Sequence, residues 1–304
     1  MMMNGTMLKK TNPNLFVIGN GESRSNVDLH RLQIYGKVYG CNALYRDFTP
    51  DGLISCDWKM QHEIHSSGYC SKNKCYFRSW KRLPSEFYDM MMMTSLSEDI
   101  TKELNKQLSE TGLPTMEHYI HQNEKGNKKE CVVQGINAEQ VAYTLEMMIK
   151  KYKMNSQDVK EKLGEPGLFI NWVEEEDKIE DLDQFFDGEH EGWASGPTAV
   201  RVAIEENPGI ASSNVYMLGF DMKTGGNVNN IYKDTNCYIS KDCKFVGPYN
   251  WIKQHLKNFE NPNYSHIKFY RVIDDNSEIE EWKSCDNVKN ISYSNMEELI
   301  NKSI

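Results

Sequence analysis

Gly19-Asn20-Gly21, followed by Glu22, Ser23 and Arg24, combines residue types that let a backbone come close to a phosphate or a ribose. The segment stands directly after the apolar run Leu15 to Ile18, the pattern of a buried strand that stops at a turn. A helix beginning there would add N–H groups and a partial positive charge of about half an elementary unit. The same Gly-x-Gly also serves a plain strand-to-helix turn, so it needs partners before it is a site.

Further candidates end other short apolar runs. Lys37 to Cys41 closes on Asn42, Gly52 to Cys56 closes on Asp57, and Val215 to Phe220 closes on Asp221. In an open parallel sheet, ligands bind outside the carboxyl ends of the strands, so these polar ends are where chemistry is expected. Asp57 and Asp221 are carboxylates that can accept a proton. Asn42 can hold a ribose or merely cap a turn. Arg24 can take an anion bidentately or sit in solvent.

A dinucleotide fingerprint needs a third glycine where Arg24 stands and an acid about 20 residues on, where Asn42 stands instead. A nicotinamide or flavin dehydrogenase is disfavoured. No Gly-x-x-x-x-Gly-Lys-Ser/Thr run exists, which excludes a P-loop. The closest cysteine pairs, Cys70/Cys75 and Cys237/Cys243, lack zinc-knuckle spacing, so reduced thiols and no metal are expected. The acidic run Glu174 to Asp177 reads as a solvated face or loop, and Met90 to Met93 as core filler.

The elements that must position these residues follow a βα rhythm. After the first strand, Ser23 to Asn26 offer caps for a short helix through Val27, Leu29 and Leu32, and Cys75 to Arg78 reads as a fourth strand. Pro197 suits the first turn of a helix through Ala199, Val202 and Ala203. A helix over 249–259 and a strand over 266–272 complete the pattern. The expected fold class is α/β, a Rossmann-like, doubly wound, mainly parallel sheet with a mostly helical insertion. Residues 1–84 and 188–274 form its two halves and 85–187 the insert, where Val141, Leu145, Met148 and Ile149 mark a helical stripe. Residues 275–304 read as a short amphipathic appendage.

With 39% hydrophobic and 26% charged residues, the chain belongs among globular proteins. A net charge of −9 argues against broad attraction to nucleic acid or anionic membrane. No apolar run approaches the roughly 20 residues of a membrane span, and the first ten residues lack a signal-peptide stretch, so a cytoplasmic location is expected.

Taken together, the two halves resemble the bacterial sialyltransferases that use a CMP-activated sugar. Gly19-Asn20-Gly21-Glu22-Ser23, then Val27-Asp28, Arg31-Leu32 and Cys41-Asn42, is similar to that family's Gly-Asn-Gly-Pro-Ser-Leu opening and later Cys-Asn. Ala194-Ser195-Gly196 and the strand ending Gly219-Phe220-Asp221 are similar to its Thr-Ser-Gly motif and Gly-Ile-Asp strand end. The segment from Asn230 to Thr235 falls where those enzymes carry a phosphate-binding tyrosine. These pieces cover about a third of the chain, and segments of this kind also resemble uncharacterised bacteriophage-encoded proteins.

The resemblance implies a CMP-sugar donor and metal-independent transfer to a glycan or other hydroxyl acceptor. Gly19, Asn20, Gly21, Ser23 and Asn42 would hold the nucleotide and ribose. Ser195 and Gly196 would lie along cytidine and phosphates, and Tyr232 would donate to a phosphate oxygen. The alternative readings are a cap for Ser195 and a half-buried aromatic for Tyr232. Glu22-Ser23-Arg24 departs from the family's Pro-Ser-Leu, which makes Arg24 and Asp57 candidates for the substrate. The loop where the family keeps its catalytic histidine has none between Asn236 and Tyr249. His255, His190 and Asp221 are the remaining candidate bases. The competing expectation is a catalytically silent nucleotide-binding or virion-associated module on the same fold.

Overall fold

A computed structural model describes residues 14–78, 80–81, 117–122, 129–134, 170–172, 177–186, 192–208, 214–222, 228–238, 240–241, 247–275 and 277–302. The chain divides into two units, residues 1–60 with 192–304, and residues 61–191.

The first unit is an α/β, Rossmann-like, doubly wound fold. Strand β1 (Asn14–Ile18) is wholly buried, as its unbroken apolar run requires of a strand covered on both faces. Helix α1 (Leu29–Tyr35) follows, then β2 (Gly36–Cys41) and β3 (Gly52–Ser55). The second half supplies α2 (Ser195–Glu205), β4 (Asn214–Leu218), α3 (Tyr249–Phe259) and β5 (Lys268–Val272), and the chain goes on to β6 (Val288–Ile291) and α4 (Tyr293–Asn301). All neighbouring pairs in this unit are parallel, in the order β6-β5-β4-β1-β2-β3.

Read from β3, that order is 3-2-1-4-5-6, the order of doubly wound dinucleotide-binding sheets. The order reverses between β1 and β4, the switch point where sheets of this kind hold their ligand crevice, beyond the carboxyl ends of the strands. Phe16, Tyr216 and Tyr270, paired in register across β1, β4 and β5, stack at 5.3 and 5.1 Å between ring centroids. Helix α2 packs its Ala- and Val-rich face over β1, β2 and β3, and α3 packs on α2.

Helix α1 starts at Asp28, whose side chain accepts from His30 and Arg31 N–H, while 22–24 form a 3-10 turn instead of a helix cap. The tail beyond Asp274 is not only an appendage, since Val288–Ile291 adds the outer parallel strand beside β5. Four residues of which only the outer two, Val288 and Ile291, are apolar give little sequence signal.

In the second unit, Cys75–Phe77 and Ile179–Asp181 pair in parallel. A small sheet joins Trp80–Lys81, Ile170–Trp172, Lys129–Gln134 and Glu117–Gln122 in that order. The described part of the expected helical insert is therefore mostly strand, with one short helix at Leu182–Phe185. The stripe Val141 to Ile149, the Met90 to Met93 run and Glu174 to Glu176 lie outside the described residues. Asp177, expected on a solvated face, is buried and meets His65 Nε2 at 3.2 Å.

Candidate functional site

The crevice between β1 and β4 is built from two glycine turns pressed together. Gly19 N–H donates to Leu218 O at 2.8 Å, and Gly21 N–H to Gly219 O at 2.9 Å. A Cβ on Gly19 or on Gly21 would lie 2.6 Å from Gly219 O, so both positions need glycine for this approach. Gly219, at φ +73°, adopts the left-handed conformation that completes the second turn. These glycines therefore serve turn-to-turn packing as well as any ligand.

Side chains knit the same region. The Asp221 carboxylate accepts from Ser23 N–H at 3.0 Å and from the Ser23 hydroxyl. It thus ties the two turns together rather than standing free as a base. Arg271, 1% exposed, donates from Nε to Phe220 O at 2.8 Å and from Nη2 to Asp221 O at 2.6 Å, which fixes the backbone of the second turn. Burial pulls its guanidinium below the usual arginine range.

Arg24 is not at a solvated lip. Its side chain is 5% exposed and runs into the crevice, where Nε donates to Gly19 O at 2.6 Å. Its Nη2 reaches the Tyr232 hydroxyl at 3.1 Å and Asn20 Oδ1 at 3.5 Å. No carboxylate among the described residues lies within 4 Å of it. The nearest acid in this chain of contacts is Asp47, whose Oδ2 accepts a hydrogen bond from the Tyr232 hydroxyl at 2.7 Å. Burial and then Asp47 push the Tyr232 phenol up to about 12, so it stays protonated. The Arg24 and Arg46 guanidinium carbons lie 5.7 and 5.8 Å from the centre of its ring.

Asn20 and Asn42 fall on the same edge. Asn20 Nδ2 donates to the Tyr238 hydroxyl at 2.9 Å and to Cys41 O at 3.3 Å. Asn42, left-handed at φ +54°, accepts at Oδ1 from the hydroxyls of Ser55 at 3.0 Å and Ser195 at 2.9 Å. Ser195 Oγ in turn accepts from Cys56 N–H at 2.9 Å. Ser195 therefore links β2 and β3 to the start of α2, and Gly196 follows it in the first turn of that helix. Gly19, Asn20, Gly21, Ser23, Arg24, Asn42, Ser195 and Tyr232 thus meet at one edge of the sheet, on the same side as the turn at Asp221.

The proton acceptors fare differently. His255 is fully buried among Phe220, Phe259 and Trp282, and burial lowers its pKa to about 3, so it is neutral and closed off. The helical stripe of α3 turns this position inward, which corrects its reading as a base facing an acceptor. His190 lies outside the described residues. Asp57 is exposed beyond β3 and accepts from Lys59 N–H at 3.0 Å.

Tyr238, Arg46, Asp47, Phe220 and Arg271 were not singled out by sequence. Tyr238 stands in the loop that lacks a histidine, and its hydroxyl accepts from Asn20 Nδ2 at 2.9 Å and from Ala43 N–H at 3.4 Å. Among the described residues, no cluster of three His, Cys, Asp or Glu could hold a metal, and no helix is long and apolar enough to cross a membrane. Comparison with protein families, curated proteins and solved structures yields no match. The class that the fold defines is the doubly wound α/β sheet with a crevice at its switch point.

Proposed function

We propose that the first unit binds a phosphate-bearing ligand, a pyrimidine nucleotide, in the crevice beyond β1 and β4, with Arg24 meeting the phosphate. The observation that carries this reading is the buried Arg24 guanidinium with no carboxylate within 4 Å among the described residues. Holding a cation out of water without an anion costs several kcal/mol, and a phosphate supplies the matching bidentate acceptor. Asn20, Asn42 and the Tyr232 and Tyr238 hydroxyls offer neutral donors and acceptors beside it.

The resemblance to CMP-sugar-dependent sialyltransferases supplies the rest of the proposal: a cytidine base, a sugar on the phosphate and a hydroxyl acceptor. Binding without transfer is the reading that the geometry favours, because His255 is enclosed and Asp221 is committed to Ser23. Sugar transfer is a second reading, and the exposed carboxylate of Asp57 at the same sheet edge favours it as the group to take the acceptor's proton. A cytoplasmic setting, or a virion for a bacteriophage-encoded chain, belongs to the same proposal.

A thermal-shift panel of CMP, CDP, UDP, GDP and inorganic phosphate tests it. A cytidine nucleotide is expected to stabilise the chain by about 2.7 kcal/mol at a hundredfold excess over Kd. Asn20→Ala or Asn42→Ala should lower the binding free energy by about 1 to 3 kcal/mol, as loss of a buried hydrogen bond does. No shift with any nucleotide or with phosphate contradicts the proposal.

A further inference from the structure

The ring of Phe220 stands between the Gly19 turn at the switch point and His255. Its Cε2 lies 3.3 Å from where a Cβ would stand on Gly19, and its Cε1 2.9 Å from the corresponding point on Gly196. The ring is wedged between two glycines, one in each half of the crevice wall. On its far side it meets the His255 imidazole edge-on, at 5.1 Å between centroids.

His255 has no exposed surface, and neither Nδ1 nor Nε2 has a hydrogen-bond partner. Its Nε2 lies 3.8 Å from the Cβ position of Gly196, so it faces the first turn of α2, beside Ser195. The other polar side chains on this face of α3 are matched. Gln254 accepts from Ala194 N–H at 2.9 Å and donates to Gly192 O at 3.2 Å, and Asn258 donates to Pro197 O at 2.9 Å. A leucine or methionine would fill the space held by His255 without leaving buried polar atoms unpaired, which is a real cost to folding. The imidazole is therefore not explained by packing.

We propose that Phe220 is a gate and that His255 is a ligand-binding residue behind it. When the ring rotates away, His255 Nε2 hydrogen-bonds a hydroxyl or similar neutral polar group of the molecule held in the crevice. A neutral imidazole can donate at one nitrogen and accept at the other, which suits a hydroxyl better than an anion. Arg271 holds Phe220 O and Asp221 O, so opening is a rotation of the Phe220 side chain over a fixed backbone. This inference rests on the crevice being a ligand site.

The test uses the full chain labelled with nitrogen-15 in histidine, the His255 ring signals being assigned from a His255→Gln variant. CMP should move the His255 signals, whereas inorganic phosphate, which reaches Arg24 without needing the gate, should leave them in place. A CMP thermal shift with unmoved His255 signals would overturn the gate and leave the crevice site standing. No thermal shift with CMP or phosphate would overturn both. Without ligand, Phe220→Ala should speed modification of His255 by diethyl pyrocarbonate at least about tenfold, as expected when the open population rises. Phe220→Leu should give a smaller rise, which keeps the comparison usable if the alanine variant folds poorly. Rates equal to that of the natural chain in a folded variant would contradict the gate.

Discussion

His255 and Arg24 are both buried, the first as a neutral imidazole and the second as a guanidinium. The His255 pKa falls from 6.5 to about 3 because burial disfavours the imidazolium. In the unfolded chain the same ring takes its proton near pH 6.5, so at intermediate pH the unfolded state binds a proton that the folded state refuses. Its contribution is therefore whole above about pH 6.5 and is lost as the pH falls toward 3, at about 1.4 kcal/mol per pH unit. Urea unfolding between pH 7.5 and pH 4 should show this slope, and His255→Leu should flatten it while raising stability at neutral pH. Equal acid slopes in the two proteins would contradict the account. In the sequence Arg24 is legible as a candidate for an anion or the substrate, with a place in solvent as the alternative, but not as a buried side chain. Its inward path depends on Gly19 O and on Tyr232, which lies 208 positions away.

At the scale of elements, the strands were legible because each is a short apolar run stopped by a glycine or a polar residue. The helix at Tyr249–Phe259 was legible from its periodicity. Boundaries moved where competing caps exist, as at Asp28 against Ser23 to Asn26. The outer strand Val288–Ile291 was missed because two of its four residues are polar and exposed. The glycine turns explain why β1 and β4 can deliver their ends to one crevice. A Cβ on Gly21 would stand 2.6 Å from both Gly219 O and the Asp221 carboxyl carbon. Gly21→Ala should therefore destabilise the protein by about 1 to 3 kcal/mol in denaturant unfolding, the range of overpacked sites. A change below about 0.5 kcal/mol, typical of open surface positions, would show that the turns are not pressed together as described.

At the scale of the whole molecule, the sheet order 3-2-1-4-5-6 brings together residues far apart in sequence. A chain's order does not announce which strand turns meet. Gly19 and Asn42 could be named from local pattern and Ser195 from the resemblance, but their shared edge follows from the crossover at β1 and β4. Tyr238 and Arg271 act only through that juxtaposition, which is why no local motif marked them. The enclosure of His255 likewise depends on Trp282, contributed by residues after the last expected strand. The central claim is that this edge holds a phosphate through Arg24, and calorimetric titration of the full chain with CMP and with cytidine tests it most directly. The natural protein should bind CMP at least about tenfold more tightly than cytidine, a difference of about 1.4 kcal/mol, and Arg24→Met should erase that preference. Equal affinity for CMP and cytidine, or a preference that survives in Arg24→Met, would contradict the account.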